Sequence, residues 1–303
     1  MVLFMAQQAG PLEKVTSFSR ATAGAELNVA TGLARLGLKV SFVSCVGNDS
    51  FGRYILSFLD QEGIDRRHVT VDSMYPTGFM LKGLANKGCD PPIEYFRKGS
   101  AASHLGLADH PADTCASSRH LHLTGISPAL STSVKELVFD MARSARGAGR
   151  TISFDPNLRP RLWPSEDEMR DCINRLAISC NWVLPGLAEG QLLTGAQKPE
   201  GIAEFYLKQG VGIVVVKLGS GGAYYASCKE SGFVKGVPVE RVVDTVGAGD
   251  AFAVGVISGL LEGLVLTDAV KRGNRLGARA VQFPGDCDGL PTRVELMTET
   301  EVG

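Results

Sequence analysis

Apolar positions along the chain fall into short runs separated by stretches that repeat at the helical period. Residues 26–37 (ELNVATGLARLG) put Leu27, Ala30, Leu33 and Leu36 at helical spacing, and Gly37 ends the pattern. Residues 39–46 (KVSFVSCV) are β-branched and read as a strand, and residues 50–62 return to the helical period with Ser50 as the expected N-cap. Met1 to Met5 is a short apolar run that reads as a strand entering the core. Between 65 and 98 the pattern changes. Strands are expected around 67–72, 77–84 and 92–98 with no helix between them, which suggests an antiparallel sheet, and Cys89-Asp90 with Pro91 and Pro92 marks a turn. Beyond residue 119, strands expected at 119–124, 150–155, 181–184 and 212–217 alternate with helices at 131–147, 165–178, 187–194 and 200–209. A hairpin over 222–241 and helices near 247–263 and 267–283 complete the pattern. Strands alternating with helices predict an α/β fold with a mostly parallel sheet covered on both faces.

The bulk numbers narrow the function classes. A chain of 303 residues, 44% hydrophobic, is long enough for one large domain or a domain with a small appendage. A formal net charge of -1 gives no basic field for nucleic acid. No stretch reaches the ~20 apolar residues of a membrane-spanning helix, and Met1 to Met5 lacks the basic start and cleavage site of a signal peptide. The cysteines (Cys45, Cys89, Cys115, Cys172, Cys180, Cys228 and Cys287) are odd in number and form no CxxC pair, which argues against a zinc site and a disulfide framework. Scattered thiols fit a reducing, cytoplasmic setting.

Candidate chemistry concentrates at residues 242–252, VVDTVGAGDAF. An apolar run ends, Gly247-Ala248-Gly249 follows, and a helix opens. Small residues let a backbone approach a ligand, and a helix start offers unpaired N–H groups and the positive end of its dipole. Asp250, in the first turn, is placed to accept a proton from a hydroxyl that attacks phosphorus. Taken alone, a GxG would more simply mark tight helix packing. The segment is neither a GK[ST] phosphate loop nor a GxGxxG dinucleotide fingerprint.

The full run DTVGAGDAF resembles the DTxGAGDxF signature of the PfkB (ribokinase-like) carbohydrate kinases. Three further segments are similar to that family's motifs: Gly24-Ala25-Glu26-Leu27-Asn28-Val29-Ala30, Val46-Gly47-Asn48-Asp49 and Lys217-Leu218-Gly219-Ser220-Gly221-Gly222. The resemblance implies a single doubly wound α/β domain over 1–303, with helices on both faces of the sheet and a small β-sheet lid from about 6–20 and 65–98. It implies Asp250 as general base and Gly247, Ala248 and Gly249 as donors to the transferring phosphate. For ATP it implies Asn157, Lys217, Gly219, Gly222, Thr245, Gly247, Gly249, Asn274 and Ala278, with Mg2+ on the phosphates. Two departures stand out. Family members carry several residues ahead of the position of Met1, so this chain starts inside its first strand. The family's NxxE is here Gly186-Leu187-Ala188-Glu189, which keeps Glu189 as an indirect metal contact but lacks the Asn.

Two arginines bear on the acceptor. Tyr95-Phe96-Arg97-Lys98-Gly99-Ser100-Ala101 and Asp155-Pro156-Asn157-Leu158-Arg159 resemble segments of the 2-keto-3-deoxygluconate kinases within the family, as does the run from His122 to Leu130. A carboxylate substrate calls for a cation, and arginine offers it a bidentate fork. The resemblance implies that Gly24, Asn28, Tyr95, Arg97, Ile126, Arg159, Asp250 and Asp286 contact the sugar acid. Each has a plainer rival. Arg97 reads equally as a solvated lid residue, and one of Arg159 and Arg161 reads as a plain surface residue. Asp286 reads as a turn residue beside Gly285. His120 and His122 share a strand face with no third ligand near, which favours structural histidines over a metal site. The competing functions are a fructokinase- or ribokinase-type enzyme of the same family, a silent sugar- or nucleotide-binding regulator, and a nicotinamide oxidoreductase. A base at Asp250 argues against the regulator and the missing GxGxxG against the oxidoreductase. Edge strands in the lid suggest a homo-oligomer.

Overall fold

The computed structural model describes residues 1–84, 91–109 and 118–301, so the turn expected at Cys89-Asp90 and the thiol of Cys115 lie outside the described residues. The chain divides into two compact units, Met1–Leu105 with Val239–Val254 and Leu276–Gly303, and Gly106–Pro238 with Gly255–Arg275. The helices Ala248–Leu261 and Leu266–Ala280 each contribute residues to both.

The first unit is built around the strand Val2–Ala6. It runs antiparallel to Phe18–Thr22 and parallel to Phe79–Lys82, which pairs in turn with Ile93–Phe96 to give a four-stranded sheet. Period-two alternation sends its side chains to two different places. Val2 joins Leu27, Ala30, Val46, Ile55, Leu59 and Ile64 beneath the helices Ala25–Arg35 and Ser50–Gln61, with Phe4 packed against the same cluster. Leu3 joins Ala23 and Met80, with Met5 beside them. Lys82 follows Met80 by two residues and therefore shares its buried face, facing Met5 across the ladder.

Three expectations are corrected here. Val69–Asp72 does not belong to the antiparallel group; it pairs in parallel with Ser44–Gly47, with the helix Ser50–Gln61 in the connection between them. The strand expected over 39–46 is confined to Ser44–Gly47, with Ser41 making a single bridge to Asp65. Asp49, not Ser50, caps the following helix. Asp49 is extended, and its carboxylate accepts from Gly52 N at 2.7 Å and from Thr77 N at 2.8 Å, whereas Ser50 is already helical. Gly47 and Gly52 make that close turn possible: a β-carbon on Gly47 would stand 2.6 Å from Asp49 Oδ2, and one on Gly52 2.1 Å from Gly47 O.

The second unit carries a six-stranded sheet in the order Ser231–Lys235, Gly222–Ser227, Ile213–Lys217, Trp182–Val183, Thr151–Asp155, His120–Thr124. The last four strands are parallel, and the hairpin adds two antiparallel ones. The hairpin ends at Lys235, short of the expected 241, with no strand from there to the helix at Ala248. Ile152, Phe154, Val183, Val214, Val215 and Val216 are all 0% exposed, as a sheet covered on both faces requires. The helices Thr132–Gly147, Glu166–Ala177, Leu187–Thr194 and Pro199–Leu207 fall where the apolar periodicity puts them.

The Asp49 carboxyl is pushed up by partial burial, but the backbone donors of Thr77 and Gly52 outweigh this and hold it below the usual carboxylate range. Its contribution to stability is therefore full above the unfolded-state pKa and is lost as pH falls through the lower folded-state value. Asp49→Ala is expected to cost about 1–2 kcal/mol in denaturant unfolding at neutral pH. The gap to wild type should close in acid; a gap that widened there would contradict the assignment.

Candidate active site

Asp250 stands in the first turn of the helix Ala248–Leu261 and is 9% exposed. Its Oδ2 accepts a 2.7 Å hydrogen bond from the side-chain amide of Asn28, itself 2% exposed. Asn28 lies on the helix Ala25–Arg35, whose N-cap is Gly24 at φ 134. The two helices meet closely one turn further along. A β-carbon on Gly32 would lie 2.5 Å from a methyl of Val254, so only glycine lets Val254 seat there. Gly32 follows Asn28 by one turn and Val254 follows Asp250 by one turn, so this crossing sets amide against carboxylate. A buried carboxylate needs a donor, and the Asn28 amide supplies one.

The loop before Asp250 has an equally specific geometry. Gly247 has φ 82, and a β-carbon on it would stand 2.7 Å from the backbone oxygen of Asp286. Asp244 Oδ1 accepts from Val246 N at 3.0 Å and folds the turn that leads into Gly247. Thr245 O receives Ala248 N at 3.4 Å, and Ala278 lies on the helix Leu266–Ala280 in the same unit. Asp286 does lie in a turn, but at 5% exposure it is a buried polar group there. Burial pushes its carboxyl up, and the nearby Asp244 adds to that, while the ammonium of Lys82 pulls part of it back. Arg97, just past the strand Ile93–Phe96, is 9% exposed and stacks its guanidinium over the Tyr95 ring at 4.4 Å, so it is not a solvated residue. Tyr95 is 42% exposed.

The second unit holds the remaining sequence candidates. Asp155, 2% exposed, ends a central strand and accepts from Lys217 Nζ at 2.6 Å. Asn157 has the left-handed φ of 39 and its N–H bonds Asp155 Oδ1 at 3.3 Å. Arg159 donates to the carbonyls of Asn157 and Leu158, at 3.2 and 2.9 Å, folding back on its own loop. Glu189 spends both oxygens on backbone donors, Oε1 on Leu158 N at 2.7 Å and Oε2 on Gly186 N at 2.8 Å. It therefore caps its own helix and pins the Asn157 turn. Gly219 (φ 59) and Gly222 (φ 101) shape the turn into the hairpin, and a β-carbon on Gly222 would be 2.1 Å from Val234 O. Asn274 donates to Val234 O and Lys235 O at 3.2 and 3.0 Å, anchoring that hairpin. Ile126 is buried behind Thr124. His120 bonds Thr151 and Ser153 and stacks on Trp182, and burial holds it neutral, pushed down to about 3. His122 bonds Ser153 at 2.8 Å.

Residues 2–293 match the model of the pfkB family carbohydrate kinases. The chain belongs to that family. The kinase is 52% identical over 299 residues to a 2-dehydro-3-deoxygluconokinase of Bacillus subtilis, covering 98% of this chain and 92% of the relative. A PfkB protein from Polaromonas sp. JS666 has a solved structure with TM-score 0.91 and 53% identity, covering 98% and 96% of the two chains. A fructokinase from Vibrio cholerae O395, solved with fructose, ADP and calcium ion bound, gives TM-score 0.85 at 28% identity, covering 98% and 96%. The fold is thus the ribokinase-like α/β fold, and the enzyme is a carbohydrate kinase.

Sequence reading missed two residues that touch the candidate centre in the kinase. Lys82 is 2% exposed and its ammonium contacts Asp244, Asp286 Oδ1 at 3.2 Å and Pro284 O at 3.3 Å. A signal was available: alternation puts Lys82 on the face of Met80, and a lysine on a buried face needs an anionic partner. Cys287 donates its thiol to Asn28 Oδ1 at 3.2 Å; no sequence pattern marks it.

Gly32→Val forces Val254 and the helix behind it outward. It is expected to destabilise the kinase by about 1–3 kcal/mol and to lower kcat as Asn28 and Asp250 separate, read by chemical denaturation and steady-state turnover. Unchanged stability and turnover would refute the crossing as the element that sets the pair.

Proposed function

We propose that this kinase transfers the γ-phosphoryl group of ATP to the 6-hydroxyl of 2-keto-3-deoxy-D-gluconate. Asp250 takes the hydroxyl proton, the oxygen attacks the γ-phosphorus, and the bond from that phosphorus to the bridging oxygen of ADP breaks. Backbone N–H groups of Gly247, Ala248 and Gly249 stabilise the charge on the phosphoryl oxygens. Gly24 and Asn28 contact the sugar hydroxyls. Thr245 and Ala278, with Asn157, Lys217, Gly219, Gly222 and Asn274, serve the nucleotide.

The observation that carries the substrate is Arg97. A guanidinium held at 9% exposure over Tyr95, in the unit that carries Asp250, supports an acidic sugar over a neutral one. The name of the Bacillus subtilis relative supports the same reading. Arg159 carries less weight, because it is bonded to its own loop. Among the described residues no group of three or more His, Cys, Asp or Glu could hold a metal, and Glu189 is spent on backbone donors. The donor set does not fit a protein-held metal ion, so Mg2+ is taken as part of the Mg-ATP substrate and no step is routed through a metal held by side chains. The exposed edge strand Ile93–Phe96, with Phe96 47% exposed, supports a homo-oligomer through this sheet; sedimentation of the kinase as a monomer at assay concentration would remove that part. A cytoplasmic setting belongs to the same reading.

ADP release across a panel of sugars and sugar acids tests the substrate. Turnover is expected to be fastest on 2-keto-3-deoxygluconate, and better turnover of fructose or ribose would overturn the reading. Arg97→Met should raise KM for the sugar acid at least tenfold, a loss of about 1.4 kcal/mol or more, with Arg159→Met costing less. Asp250→Asn should lower kcat by about 10²–10⁴ without changing thermal stability much.

A further inference from the structure

The ammonium of Lys82 has three N–H donors and three acceptors from two other segments of the same unit. These are the carboxylate of Asp244, Oδ1 of Asp286 at 3.2 Å and the carbonyl of Pro284 at 3.3 Å. The lysine, at 2% exposure, and both carboxylates, at 6% and 5%, are buried. Each acceptor leads toward the reacting groups. Asp244 also accepts Val246 N, which sets the turn into Gly247. The backbone oxygen of Asp286 fills the space where a β-carbon of Gly247 would stand. The residue after Asp286 is Cys287, whose thiol donates to Asn28 Oδ1 at 3.2 Å, and the Asn28 amide in turn holds Asp250. One cation on the strand Phe79–Lys82 thus ties together both flanks of the anion loop and reaches the base through the Asp286–Cys287 turn.

We infer that Lys82 is a positioning residue for phosphoryl transfer: its charge holds Asp244 and Asp286 together and so fixes the Gly247–Gly249 donors and the Asn28–Asp250 pair in their working arrangement. Without the ammonium, two buried carboxylates face each other uncompensated, and one must take up a proton or move away. Either response releases the turn at Val246 or the seating of the Asp286 backbone against Gly247. Pre-organised donors matter in the transition state and little in the ground state, so the loss should fall on kcat.

The inference rests on the kinase reading of Asp250 and not on the identity of the acceptor. Lys82→Met and Lys82→Ala are therefore assayed with whichever sugar or sugar acid the wild-type enzyme turns over, and a failure of the substrate proposal leaves the comparison intact. Both variants are expected to lose at least thirtyfold in kcat, with KM for ATP and for the acceptor within about threefold of wild type. Ethylammonium chloride should restore part of the turnover of Lys82→Ala, which leaves a hole of the right size. It should not restore Lys82→Met, where the side chain fills that space, and sodium chloride at equal ionic strength should restore neither. Retention of kcat within threefold, a loss confined to KM, or a kcat loss that ethylammonium does not relieve would each overturn the proposal. Should neither variant fold, Lys82→Met combined with Asp244→Asn removes one charge of each sign. The same kcat loss with KM preserved then supports the role, and turnover within threefold of wild type rejects it.

Discussion

The amide of Asn28 and the carboxylate of Asp250 meet at 2.7 Å because two helices approach closely enough at Gly32 for Val254 to occupy the space of a β-carbon. Much else in the first unit follows from keeping that pair buried and in contact. A buried carboxylate needs donors, and the Asn28 amide is one of them. The amide oxygen in turn accepts from the thiol of Cys287, the residue after Asp286. Asp286 needs a counter-charge, and Lys82 brings it from a strand of the four-stranded sheet. Removing one partner of a buried ion pair typically costs about 3–5 kcal/mol, far more than an exposed pair contributes. The surface pairs Arg170–Glu166 and Lys208–Glu204 are of the second kind.

The alternation of strand and helix was legible because apolar period reports burial directly. The helices Thr132–Gly147 and Glu166–Ala177 and the strand Ile213–Lys217 lie where their periodicity puts them. Pairing was not legible to the same degree. Val69–Asp72 looks like any half-buried strand, and nothing in four residues distinguishes a parallel partner from an antiparallel one. The cap was misread by one position, since Asp49 and Ser50 are both good capping residues and only the backbone angles separate them.

The site divides in the same way. Asp250 and Gly247 could be named from a contiguous motif whose chemistry is local. Lys82 belongs to no such motif: its partners are more than a hundred residues away in sequence, and its one signal is the alternation that puts it on the buried face of Met80. Glu189 shows the converse case. A family position suggests an indirect metal contact, and the structure adds a second duty, since Gly186 N and Leu158 N each donate to one of its oxygens. In the second unit several glycines that might have been credited to nucleotide contact have a geometric duty as well. Gly222 leaves no room for any side chain against Val234. A glycine can serve a ligand and a turn at once, and sequence alone does not separate the two.

The thiol of Cys287 gives the Asn28 amide a polarity. Burial pushes this thiol well above its ordinary range, so it stays protonated and acts as a donor. A donor can meet only the oxygen end of the amide, which leaves the nitrogen end turned toward Asp250. Were that position hydrophobic, the amide could rotate by half a turn and present its oxygen to a carboxylate, an arrangement of two acceptors with no proton between them. The thiol therefore works as a key that admits one orientation of its neighbour. A hydroxyl in its place would preserve the setting, and a methyl group would lose it.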